Sequence, residues 1–176
     1  MVRTLVRNAL LIALGLCLSL VEQLVPLPVP LPGVRLGLAN AITLYLLLQD
    51  TPGSAALVLA GRVLLAALLF GGVTSFFYSA AGGLLAFAVM FLLRRAYPAR
   101  ISIAGMSMAG AAAHNIGQVS MAALLLRDTA VFAYLPALLL CALVGRRHGR
   151  RGRARNPPVF RRARRRVAYT YPDAKS

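Results

Sequence analysis

An arginine set inside an apolar run is the first residue that needs a chemical reason. Arg62 lies within GRVLLAALLFGG, residues 61–72. A charge at the centre of a membrane-spanning helix costs at least ~2.5–3.5 kcal/mol, so it must face protein or water. Guanidinium binds carboxylate or phosphate through two parallel hydrogen bonds, which makes Arg62 a candidate contact for an anionic ligand. The structural alternative is a partner for Glu22 or for carbonyls at a helix end.

His114, Asn115 and Gln118 form a second group, inside GMSMAGAAAHNIGQ at residues 105–118. Residues four apart share a helix face, so His114 and Gln118 stack, while Asn115 lies about 100° round. Gly105, Ala109, Ala113 and Gly117 make an adjoining row of small residues that lets another backbone come close. The polar three could hold a ligand, or could hydrogen-bond between helices at about 0.6 kcal/mol per bond. An imidazole can also carry a proton, although no acid lies close in sequence to relay it. Arg35 and Asn40 follow a proline-rich stretch and would line the entrance to such a site. Glu22 would bind a cationic group or neutralise Arg62.

These residues need elements to position them. Of the 176 residues, 59% are hydrophobic and 14% charged, with a mean hydropathy of +0.73. Soluble domains carry about a quarter charged residues. The composition predicts an all-α, polytopic membrane protein with a transmembrane domain over 1–145. Eleven arginines fall between Arg146 and Arg166, so the net charge of +16 belongs mostly to a tail, 146–176. That tail reads as a disordered cytoplasmic segment near anionic lipid, at about 1 kcal/mol per basic residue. Nucleic-acid binding is the weaker reading, because no folded module surrounds the charges.

The apolar pattern predicts six helices, at about 5–25, 36–49, 54–70, 75–96, 101–126 and 129–144. The basic, apolar start reads as a retained first membrane helix. PLPVPLPGVR, residues 26–35, holds four prolines, which exclude a helix and favour a lid over the bundle mouth. Gly71-Gly72 breaks the third helix. Ser75, Ser79 and Gly83 form one row on the fourth, and Pro136 kinks the sixth. Arg3, Arg7, Arg94, Arg95, Arg100 and the tail fall on one side if both termini are cytoplasmic, as the positive-inside rule requires. Cys17 and Cys141 read as small packing residues, unpaired. There is no GxxxxGK[ST], no GxSxG, no HExxH and no aspartate-rich cluster in the sequence. No pattern calls for a metal or cofactor.

Four blocks, PGVRLGLANAITL (32–44), GRVLLAALLFGG (61–72), FFYSAAGGLLAF (76–87) and GMSMAGAAAHNIGQ (105–118), resemble a bacterial family known under two names. These are Gx transporter family and heptaprenyl diphosphate synthase component I. The family is similar to the substrate-binding S components of energy-coupling-factor transporters. The resemblance implies a six-helix bundle in the bacterial plasma membrane, with a site open to the outside beneath the first loop. It implies that Ala9 and Ala13 dock onto a transmembrane coupling subunit, with ATP hydrolysed on separate chains. The expected function is uptake of a small metabolite or vitamin-like compound, anionic or amphipathic, held by Arg62, His114, Asn115 and Gln118. The second name implies the alternative, a non-catalytic membrane subunit of a polyprenyl diphosphate synthase.

Overall fold

The computed structural model describes residues 2–24, 37–49, 51–97 and 99–136. The helical character expected from the sequence is what it shows, with no strand among the described residues. Five helices are formed: α1 (Val2–Leu24), α2 (Asn40–Leu48), α3 (Pro52–Ala66), α4 (Gly72–Leu93) and α5 (Ile103–Leu126). Local chemistry sets their ends. Pro52 opens α3 at a position where its missing N–H costs nothing. Ser102 caps α5, its Oγ accepting from Gly105 N at 3.1 Å, and Arg127 ends that helix in the left-handed region.

Between α3 and α4 the chain makes a π turn, Ala67–Gly71, and then reverses at Gly72. Gly72 has φ +67°, a conformation open to a residue without Cβ. The predicted break at Gly71-Gly72 is therefore the tip of a helical hairpin. Its arms meet where Gly83 leaves room for Leu59, a Cβ there falling 2.8 Å from Leu59 Cδ1. These two positions stand almost equally far from the tip, as antiparallel arms require.

The α4–α5 pair is a second antiparallel hairpin, and its backbones nearly touch. A Cβ on Gly82 would lie 2.7 Å from the His114 carbonyl oxygen, and one on Gly117 would lie 2.7 Å from that of Ala81. Further along, Met90 Sδ fills the space left by Gly110. Of the small-residue row expected on this helix, Ala113 and Gly117 are buried and Gly105 and Ala109 are half-buried. By contrast α1 and α3 run parallel. Asn8 bonds to Ser54 near their starts, and Arg62 to Ser19 near their ends.

α2 is short and apolar on all sides, which suits a buried helix. It packs among α3, α4 and α5. The sequence pattern expected a helix over 36–49. The chain instead turns through 37–39, because Gly37 takes φ +84°, and starts the helix at Asn40. The expected sixth helix is seen in part: a 3₁₀ turn, Thr129–Tyr134, whose start Asp128 caps by accepting from Ala130 N at 2.8 Å. The lid stretch 26–35, the rest of that helix with its kink at Pro136, Cys141 and the arginine tail lie outside the described residues or at their edge.

Much of the exposed surface of the described helices is apolar. On α1 the buried residues are Asn8, Gly15, Ser19 and Glu22, while Leu5, Leu10, Leu14, Leu20 and Leu24 are exposed. That is the reverse of a soluble amphipathic helix. Cys17, expected to pack inside, is exposed on this same outer side. Two stretches are long and apolar enough to cross a membrane, Val2–Glu22 and Pro52–Ala96. The second is 45 residues and contains the hairpin tip, so its two arms are separate helices.

The close α4–α5 contact yields a prediction. Gly117→Leu drives a side chain into the Ala81 carbonyl and should cost about 1–3 kcal/mol. Thermal unfolding in detergent checks this; an unchanged midpoint would mean that the two backbones do not approach closely.

Candidate functional site

A polar cluster occupies the interior where the end of α1 meets the start of α2. Arg62 is at its centre, 3% exposed. Its Nη1 donates to Ser19 Oγ on α1 at 3.3 Å, and its Nη2 donates to Asn40 Oδ1 on α2 at 3.5 Å. Space for the long side chain comes from Gly15 on α1. A Cβ there would fall 2.7 Å from Arg62 Cδ. One charge on α3 thus touches two other helices, α1 and α2.

Glu22 lies one turn beyond Ser19 and is buried. Its carboxylate accepts from the backbone N–H of Leu38, which ties α1 to the turn leading into α2. Gly37, in that turn, links the arginine to the histidine. A Cβ on it would lie 2.9 Å from Asn40 Nδ2 and 3.0 Å from His114 Cδ2. His114, Asn115 and Gln118 are all buried on α5. Gln118 Nε2 lies 2.9 Å from His114 Nε2; an amide N–H only donates, so the ring nitrogen accepts. Gly82 on α4 closes the far side of this ring, a Cβ there falling 2.8 Å from His114 Nδ1.

Of the seven expected substrate-binding residues, the structure brings six inside the protein: Arg62, His114, Asn115, Gln118, Asn40 and Glu22. Arg35 lies outside the described residues. Asn40 corrects the expectation in one respect. It is not at an entrance, because its Oδ1 accepts from the central guanidinium and its residue is buried. Ala9 and Ala13 are exposed on α1, among the outward leucines. No group of three metal-ligating side chains occurs among the described residues.

Sequence reasoning missed Ser19, Gly15, Gly37 and Gly82. Ser19 had a faint signal, since it precedes Glu22 by three positions and so shares its face. Ser79 was placed on a row but given no role. It is buried on α4 and its hydroxyl has no hydrogen-bond partner.

The family model for heptaprenyl diphosphate synthase component I matches residues 11–146. The chain belongs to that family. The match covers α1 from its third turn through α5, and so reaches every helix that supplies the cluster. No curated protein and no solved structure matches the chain. The family description speaks of a synthase component and not of transport. The likeness to energy-coupling-factor S components therefore rests on the four sequence blocks alone.

Asn40 supplies an acceptor to a buried charge, so Asn40→Leu should cost about 1–3 kcal/mol. The double variant Asn40→Leu/Arg62→Met removes the charge as well and should recover much of that loss. Melting in micelles reads both; a double variant as unstable as the sum of the singles would mean that the two side chains do not interact.

Proposed function

We infer that this chain is a non-catalytic, membrane-embedded subunit that holds a small amphipathic anion in the cluster around Arg62. Its partner is a prenyl diphosphate synthase catalytic subunit, as the family description supports. The observation that carries this reading is a buried guanidinium in a hydrogen-bonding interior, inside a body that exposes many leucines. An isoprenoid diphosphate has the matching halves. Arg62 suits a phosphate oxygen as a bidentate donor, and Asn40, His114 and Gln118 offer further polar atoms. A cavity of about 370 Å³ between α3 and α4, lined by Leu59, Val63, Phe76, Leu84 and Phe87 among others and by none of the cluster's polar residues, is apolar enough for a hydrocarbon tail. The sequence has four acids, isolated from one another, so no aspartate pair is in place to hold magnesium on a diphosphate. Bond making is assigned to the partner.

The membrane reading extends to several passes. The exposed leucines and the two antiparallel hairpins support it. The arginine distribution supports both termini in the bacterial cytoplasm. Arg62 and Asn40 then lie towards the outer side.

A second reading is favoured by that last placement. A polar site towards the outer side suits an uptake subunit that delivers its ligand by rocking against a coupling protein. Ala9 and Ala13, exposed on α1, are then the docking face, and ATPase chains supply the energy.

Affinity capture from native membranes in mild detergent separates the readings. An aspartate-rich prenyl synthase in the captured set supports the first. A membrane coupling subunit with two ATPases instead would overturn it in favour of uptake. Ala9→Leu/Ala13→Leu should lower partner recovery about tenfold, about 1.4 kcal/mol, in the uptake case. Unchanged recovery would mean that this face meets lipid only.

A further inference from the structure

The opposite end of the α1–α3 pair carries a second polar group that the Arg62 cluster does not use. Ser54, in the first turn of α3, accepts two hydrogen bonds from α1: Asn8 Nδ2 at 3.2 Å and Arg7 Nη2 at 3.4 Å. Asn8 is 6% exposed, yet its Oδ1 has no hydrogen-bond partner. Arg7 Nε is likewise buried and without one. A buried polar atom left unpaired costs about 1–3 kcal/mol, more beside a charge. Two such atoms on adjacent residues, one a donor and one an acceptor, mark a place built for something else.

The surroundings indicate what that is. The α3 N-terminus has no side-chain cap, because Thr51 spends its hydroxyl on the Leu46 carbonyl instead. Its first-turn N–H groups and helix dipole favour an anion there. Gly53 leaves the approach clear, since a Cβ on it would meet no atom within 4 Å. Around this polar spot the surface is apolar: Leu5, Val6 and Leu10 on α1 and Leu57 on α3 are all exposed.

We propose that Arg7, Asn8 and Ser54 with the α3 N-terminus form a binding site for a phosphate group on a ligand that also carries a hydroxyl. The phosphate accepts from Arg7 Nε and lies at the positive end of the α3 dipole. The hydroxyl donates to Asn8 Oδ1. A glycerol-phosphate lipid headgroup has both parts, and the exposed leucines would meet its chains. A soluble phosphate has the anion alone. The site is independent of the ligand assigned to Arg62, about 12 Å away along α3.

The test uses the purified full-length chain in detergent, with dioleoylphosphatidylglycerol, dioleoylglycerol and inorganic phosphate as probes. Native mass spectrometry reads retained lipid and a melting curve reads protection. Phosphatidylglycerol should be retained and should raise the midpoint, and dioleoylglycerol should do neither. Arg7→Gln and Asn8→Leu should each cut retention about tenfold, the loss of one charge-assisted or buried hydrogen bond. Without lipid, Asn8→Leu should melt close to the parent, because the bond to Ser54 that it loses is offset by removal of an unsatisfied acceptor. Protection by inorganic phosphate equal to that by lipid, lost in Arg7→Gln, would support the anion site and assign it to a free phosphate. Equal retention of the two lipids, or full retention by both variants, would overturn the proposal.

Discussion

A permanent charge held inside an apolar body is the constraint on which the rest of this structure depends. Guanidinium keeps its proton in protein interiors, so burial cannot neutralise Arg62. The fold must supply acceptors and room. Ser19 and Asn40 supply acceptors from two other helices, and Gly15 supplies room. The parallel pairing of α1 with α3 follows the same need, since it sets Ser19 beside Arg62. The short α2 is placed so that its first residue reaches the charge. A polar core of this kind gives little net stability compared with apolar packing.

The glycines play the complementary part. They bring backbones together where the polar side chains must converge. Gly82 and Gly117 let α4 and α5 nearly touch, which places the His114 ring against the α4 backbone. Gly37 turns the chain at positive φ and leaves Asn40 Nδ2 and the His114 ring facing one another across its missing side chain. With polar groups inside and leucines outside, the molecule is organised as a bilayer would require of it: backbone bonds satisfied within helices, and polar side chains turned away from hydrocarbon.

Much of this was legible in the chain, for identifiable reasons. Long apolar runs gave α1, α3, α4 and α5 within a few residues, and Gly71-Gly72 gave the hairpin tip. The oddity of Arg62, His114, Asn115 and Gln118 in apolar context marked them as interior residues, and all four are buried. What stayed hidden depends on tertiary contact. Leu36 to Gln49 reads as one helix because periodicity does not register the positive φ of Gly37. Asn40 reads as an entrance residue because nothing local tells that α3 sends a guanidinium to it. Ser19 and Gly15 look like ordinary helix residues until Arg62 is seen to need them. Cys17 was assigned to packing on residue type, yet the outer face of α1 is where small residues as well as leucines point. The family follows from the four sequence blocks and the match over 11–146, whereas the ligand rests on geometry.

The central claim is that the Arg62 cluster binds an amphipathic anion. The most direct measurement is equilibrium binding of a radiolabelled isoprenoid diphosphate to the purified full-length chain in detergent, compared with Arg62→Ala. The account predicts saturable binding by the parent chain, competed by unlabelled diphosphate and not by the corresponding isoprenoid alcohol. It predicts a loss of about tenfold or more in the variant, the scale of one charge-assisted contact. Equal binding by parent and variant, or competition by the alcohol as strong as by the diphosphate, would contradict it.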